Sequence, residues 1–179
     1  MAKLLLENNT IYHDLSDIER EITPLDIQLR HFDPGSALLF PDLPNQDMLA
    51  DTQKREILEL HNSLFEFLKQ EGGFLWNDLL VLHPGSPNLH TLVTTYSRYH
   101  THNAPEAYYV LAGEAIFGLI KPDGSQLQLL IEAQDYLHIP TEVEHWFSPS
   151  ATLHFKAVRY FANVEGWIPQ YTGTKLSDL

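Results

Sequence analysis

The chain contains no cysteine. Disulfides, zinc–thiolate sites and thiol nucleophiles are therefore excluded, and the absence fits a cytoplasmic protein. Positive charge is scarce: 11 lysines and arginines stand against 24 aspartates and glutamates, a formal net charge of −13. Such a surface repels phosphate backbones and anionic membranes, so neither nucleic acid nor membrane is expected as a partner. No apolar run approaches the roughly 20 residues of a membrane span. The opening "MAKLLLENNTIYHD" has too short a leucine cluster for a secretory signal. Internal repeats and low-complexity tracts are also missing. At 179 residues and 44% hydrophobic, the chain is long enough to bury one full core and is expected to form a single domain handling something small.

What is present is mostly strand-like. Residues 3–12, "KLLLENNTIY", read as two strands joined at Asn8-Asn9. Ser16 followed by Glu19 predicts a capping box at the start of a short helix, "LSDIEREI". "DIQLRHF" alternates apolar and polar residues like a strand, and residues 33–50 read as an irregular, proline-rich connection. One long helix is expected from Asp51, its cap, to the stop at Gly72-Gly73, with His61 on its surface. "FLWNDLLVLHPGSP" returns to strand. From residue 91 to about 163 short β-rich runs follow one another, beginning with "TLVTTYSRYHTH" and punctuated by turns at Ala112-Gly113 and Pro122-Asp123-Gly124-Ser125. That texture indicates a sandwich or closed barrel rather than a βαβ array.

Within it lies "RYHTHNAPEAYYVLAG". If "YSRYHTH" is a strand, His100 and His102 lean from the same face, and Glu106 follows past a corner at Asn103-Ala104-Pro105. A fourth donor is available in His145, in a later strand after Pro140. Two readings are open: polar surface residues that fall close together, or a divalent metal site. Three neutral imidazoles and a carboxylate would leave two adjacent positions of an octahedron for a chelating substrate, which suits Fe²⁺, Ni²⁺, Mn²⁺ or Co²⁺ better than a closed structural zinc.

The spacing resembles the two cupin motifs. His100, His102, Glu106 and Gly113 match the first; Pro140 and His145 match the second, while Gln134 and Glu142 stand where glycine is usual. Gln134 is tolerable if its turn needs no positive φ, and Glu142 puts the shape of the second turn in question. Beyond a general cupin, the chain resembles acireductone dioxygenases, most specifically in the tail "HFKAVRYFANVEGWIPQYTG". The resemblance implies a mainly β fold, a cupin-type double-stranded β-helix or jelly-roll barrel with an N-terminal α+β portion that includes one long helix. Residues 1–90 would pack on the barrel, 91–163 would supply the strands carrying both motifs, and 164–179 would form a tail.

It also implies an activity: O₂-dependent cleavage of acireductone (1,2-dihydroxy-3-keto-5-methylthiopentene) in methionine salvage. With iron, members yield formate and the 2-keto acid precursor of methionine; with nickel, some yield formate, carbon monoxide and methylthiopropionate. By carry-over, His100, His102, Glu106 and His145 would hold one Fe²⁺ or Ni²⁺ per chain, and a monomer is expected. Phe147 and Trp167 would bind substrate, with plain barrel packing as the alternative for each. Arg159 would steady the substrate anion or form a structural salt bridge. Tyr108 stands where the family usually has arginine, two residues after the ligand glutamate, and Tyr99 replaces a common glutamate before the first histidine. A phenol cannot supply a full positive charge. Those departures leave two alternatives open: a cupin metalloenzyme for another enediol or dicarbonyl, and a non-enzymatic small-molecule-binding cupin. His13, His31, His83 and His90, in loops or strand ends, and His138 and His154, in strands, are expected to be packed or solvated histidines.

Overall fold

The computed structural model describes residues 1–32 and 46–176. Most of the irregular connection expected over 33–50 thus lies outside the described residues. In chain order the strands are β1 (Lys3–Leu6), β2 (Ile11–Tyr12), β3 (Gln28–His31), β4 (Trp76–Leu82), β5 (His100–Thr101), β6 (Glu106–Ile120), β7 (Gln126–Glu132), β8 (Asp135–Ile139), β9 (His145–Pro149), β10 (Phe155–Phe161) and β11 (Gln170–Tyr171). The α-helices are α1 (Leu15–Ile22), α2 (Asp51–Leu60), α3 (Asn62–Gly72) and α4 (Leu89–Tyr96).

All strand pairs are antiparallel, and β6 belongs to two sheets. Its first half lies between β8 and β10, in the order β4-β10-β6-β8-β3; its second half lies between β7 and β9, in the order β11-β5-β9-β6-β7-β1-β2. The Ala112-Gly113 pair is therefore not a turn. A register shift against Lys156 and Ala157 lets the strand bend from one sheet to the other there, as bulges do at barrel corners. Gly113 has φ 75°, and a Cβ on it would lie 2.0 Å from the His154 carbonyl oxygen, so only glycine fits the bend. The first ninety residues do more than pack on the barrel, since β1 to β4 all pair into the sheets.

The alternation read in the sequence sets the layers. β7 buries every second residue, Leu127, Leu129 and Ile131, in an interior core shared with Tyr108, Val110, Phe117, Phe147 and Phe155. On the other face of the β4-β10-β6-β8-β3 sheet, Ala107, Tyr109, Tyr136, Val158 and Tyr160 pack against Phe65 and Leu68 of α3. In β6 and β10, residues 106, 108 and 110 and residues 155, 157, 159 and 161 accordingly turn inward.

Several local expectations are corrected. Helix α1 is capped by Asp14, whose carboxylate accepts from the Ser16 amide at 2.9 Å, and not by Ser16. The long helix is two helices meeting at His61; Asp51 is the first helical residue of α2 and Ala50 its cap. His61 is buried, its Nδ1 donating to the Ile57 carbonyl and its ring 5.2 Å from that of Tyr109. Residues 91–96 are helical rather than strand, which also puts His90 in a helix. The threonine-rich α4 satisfies itself by back-bonding, Thr94 to the His90 carbonyl and Thr95 to that of Thr91, while Leu89, Leu92 and Tyr96 share the face turned to the core.

Candidate metal centre

β5 and β9 bring the first two imidazoles together, because His100 and His145 are directly paired residues. His102 follows β5, its carbonyl accepting from the Glu142 amide at 2.9 Å. Glu142 has φ 66° and Gln134 φ 77°, so both positions that are usually glycine do require the left-handed region, and this chain places ordinary side chains in it. Glu106 opens β6, on the inward face.

The three histidines offer ligand atoms within 4.8 Å of one another. Glu106 joins them: Oε1 lies 2.9 Å from His145 Nε2 and Oε2 3.8 Å from His102 Nε2. All four residues are at most 3% exposed, which is costly for a carboxylate unless something positive faces it.

Each ring is held from behind. Nδ1 of His100 lies 2.7 Å from the Arg98 carbonyl, that of His145 2.8 Å from the Val143 carbonyl, and that of His102 3.1 Å from the Ile168 carbonyl. A carbonyl only accepts, so each Nδ1 carries a proton; the Nε2 atoms of His100 and His102 keep their lone pairs, while that of His145 donates to Glu106. Among the described residues the Nε2 atoms of His100 and His102 have no hydrogen-bond partner, and Oε1 of Glu106 faces His145 Nε2. Buried lone pairs aimed at one another, with tautomers fixed by outer hydrogen bonds, are what an N₃O divalent-metal site needs, and the donor set fits such an ion.

Electrostatics agree. Burial pushes the His100 pKa down to about 4, with His145 adding to the effect, and burial likewise lowers that of His102. For Glu106 burial is the largest influence and raises the pKa, but the histidines, His145 first, together outweigh it, so the carboxylate stays ionised. For His145 burial favours the neutral ring, yet the Glu106 charge reverses the balance and raises its pKa. A cation at this place would face a carboxylate and two neutral imidazoles already poised to receive it.

Around the cluster, Tyr108 is buried and its hydroxyl points to Glu106 Oε2 at 3.4 Å; burial, then the Glu106 charge, raises its pKa well above the ordinary value. The Trp167 ring lies 6.5 Å from that of His102, and its buried indole N–H has no partner among the described residues. Phe147 lies parallel to Tyr108 at 6.1 Å, farther back in the aromatic packing. Arg159 turns inward and pairs with Asp78 through Nε at 2.8 Å and Nη2 at 2.6 Å, its guanidinium carbon 5.5 Å from the Trp167 ring. Arg98 is directed elsewhere, 3.8 Å over the Tyr171 ring, and Tyr99 is buried with its hydroxyl on Gln126.

The other histidines stand apart from the cluster. His31 bonds Asp135 at 2.7 Å, His154 reaches Asp47 at 3.1 Å, and His138 lies on the outer face of β8 against Phe74. Two neighbours escaped the sequence reading. Tyr96, whose ring is 5.6 Å from that of His100 and whose hydroxyl donates to the Trp167 carbonyl, was hidden by reading α4 as strand. Asp78 was hidden because its role depends on long-range register: Arg159 pairs with Asp78 on one side and Tyr108 on the other.

The profile of the ARD/ARD' family matches residues 10–169. An acireductone dioxygenase of a Nostoc species is 63% identical over 178 residues, covering 99% of this chain and 98% of that protein. One from Trichodesmium erythraeum is 44% identical over 98% of this chain and 97% of its own. Among solved structures, the acireductone dioxygenase of Bacillus anthracis, with a cadmium ion in its active centre, superposes with a TM-score of 0.88. It covers 96% of this chain and 98% of its own at 24% identity, and so shows the shared fold.

Proposed function

Since this chain belongs to the ARD/ARD' family, we propose that the buried cluster of His100, His102, Glu106 and His145 holds one divalent metal ion and is the active site of an acireductone dioxygenase. The protein is a metal-dependent dioxygenase, acting on acireductone and O₂ in methionine salvage. The observation that carries the ligand assignment is the convergence of three buried imidazoles on one buried carboxylate, with Nε2 of His100 and of His102 left without a partner among the described residues while every Nδ1 is tied to a carbonyl.

When bound there, Fe²⁺, or Ni²⁺ in its place, supplies the Lewis acidity and the template that favour the electron-rich dianion of the enediol. The protein's own groups do the rest. Glu106 and the three imidazoles fix where the two substrate oxygens meet the cluster. Arg159 offsets the second negative charge of the dianion, a task that the neutral phenol of Tyr108 cannot take over. Tyr108 instead orients Glu106 through its hydroxyl. Trp167 offers its unpartnered N–H to a substrate oxygen, and with Phe147 behind Tyr108 it keeps water from the reacting carbons. With iron, the products are formate and the 2-keto acid precursor of methionine.

Loading the protein with Fe²⁺ without oxygen, adding acireductone, then admitting O₂ tests the reading. Formate and the keto acid should form in equal amounts, well above the spontaneous background. Substrate loss at the background rate would refute it.

A further inference from the structure

Other aromatic rings already take up part of the surface of Phe147 and Trp167. Phe147 meets Phe117 at 5.2 Å and Phe155 at 5.8 Å, and Trp167 stacks on Phe161 at 4.4 Å. Space exists elsewhere. A cavity of about 410 Å³ runs along β4, against α4, within the size range of small-ligand sites. Its walls include Leu80 and Leu82 from β4 and Leu89 and Leu92 from α4; Met48 stands at its rim, 82% exposed, and Arg159 also lines it.

Two connections join this groove to the metal centre. Leu89 and Leu92 lie on the same face of α4 as Tyr96, whose ring is 5.6 Å from that of His100 and 6.3 Å from that of His102. Seven residues of helix separate Leu89 from Tyr96, roughly 10 Å along the axis. Arg159 lines the groove and also touches the aromatic wall of the site, 5.5 Å from Trp167. A molecule with its oxygens at the cluster and its charge at Arg159 would thus have leucines, not aromatic rings, on the side away from the metal.

We propose that the groove between β4 and α4 receives the unreacting chain of the substrate, an unbranched alkyl or thioether chain, and sets the chain length that the enzyme prefers. This rests on the dioxygenase reading above. The four leucines offer the chain an apolar wall, with Lys54, His83 and Asn88 elsewhere in the lining, and each methylene taken from water against the leucines contributes about fourfold to kcat/KM.

The test uses Fe²⁺-loaded protein and acireductone analogues whose side chain grows from methyl to pentyl. The unaltered protein should gain in kcat/KM with each methylene. Leu92→Trp and Leu89→Trp, with metal content and thermal midpoint unchanged, should lose at least about tenfold on the longest analogue and less than about twofold on the methyl one. Leu92→Ala, which enlarges the groove, should move the preference to longer chains and keeps the idea testable if the tryptophan variants misfold. Length dependence missing from the unaltered protein, or surviving in all three variants, would overturn the groove alone. Equal losses on short and long analogues would overturn it as well. No turnover of any analogue by the unaltered protein would overturn the dioxygenase reading, and the groove's assignment with it.

Discussion

Arg159 and Asp78 meet through two parallel hydrogen bonds, Nε to Oδ1 at 2.8 Å and Nη2 to Oδ2 at 2.6 Å. They are opposed residues of β10 and β4, and Tyr108 of β6 opposes Arg159 on its other side. A guanidinium gripped at two points cannot rotate, and Nη1 takes no part in the grip. Asp78→Ala frees the arginine while leaving its charge in place. We expect kcat/KM for acireductone to fall by about tenfold or more, because misplacement by about 1 Å is enough for such a loss. Metal content should not change, and adding Asp78→Ala to Arg159→Ala should cost nothing further. Additive losses in that double variant would mean that Asp78 acts through stability alone.

His100→Ala should lower divalent-ion affinity by about 100-fold or more, since changes one shell farther out already cost that much in such sites. Elemental analysis after desalting reads this directly. Conversely, the unaltered protein at an ion concentration about 1,000 times its Kd should gain about 4 kcal/mol over the chelator-treated form. The same melting temperature with and without ion would show that the cluster does not bind it.

Tyr108 invites replacement by the family's usual arginine, and the geometry argues against any gain. The new guanidinium would lie cross-strand from Arg159, in a buried position beside Glu106. Like charges so placed repel, and an uncompensated buried charge costs about 3 kcal/mol or more. Tyr108→Arg is therefore expected to lower both the melting temperature and turnover. Tyr108→Phe keeps the packing on Phe147 and gives up one long hydrogen bond, so it should stay within several-fold of the unaltered rate. Faster turnover by the arginine variant would show that Arg159 does not supply the cation.

The convergence of His100, His102, Glu106 and His145 was legible in the sequence and its surroundings were not, for a physical reason. His100, His102 and Glu106 fall within seven residues, so local backbone geometry nearly suffices to converge them. The β7 alternation is likewise local, and its buried residues follow directly from it. The Arg159–Asp78 pair is not legible locally, because the partners lie 81 residues apart and meet only through the β4–β10 register. Tyr96 was lost when threonines were read as strand formers, a preference that hydroxyl back-bonding in α4 overrides. Gln134 and Glu142 taught the reverse: a glycine can be missing while the positive φ it usually serves remains.

His61 shows what a misread surface histidine does. Its burial lowers its pKa, and the bond to the Ile57 carbonyl opposes this only in part. In the unfolded chain the ring takes up a proton near pH 6.5. Below that pH the unfolded state binds a proton that the folded state refuses, so stability falls as the solution is acidified towards the depressed folded value. Above about pH 7 this contribution is flat. His61→Phe keeps a ring against Tyr109 and removes the titration. Urea midpoints at pH 7.5 and pH 5.5 should therefore differ less in the variant than in the unaltered protein. An equal difference in both would show that His61 titrates normally in the fold.

Gly118 connects packing to the metal centre. It lies opposite Trp146 across β6 and β9, and a Cβ on it would fall 1.8 Å from Trp146 Nε1 and 2.1 Å from Cε2. Neither atom can yield without turning the indole, and Trp146 directly follows the ligand His145. Gly118→Ala should therefore cost about 2 kcal/mol by overpacking. It should also weaken ion binding, because a displaced Trp146 drags β9 and moves the His145 imidazole from its position 2.9 Å from Glu106. Removing the obstacle separates the two effects. Gly118→Ala combined with Trp146→Ala should recover ion affinity to the level of Trp146→Ala alone, even if stability stays low. Ion affinity that stays depressed in the double variant would mean that Gly118 serves the backbone of β6 itself rather than the space for the indole.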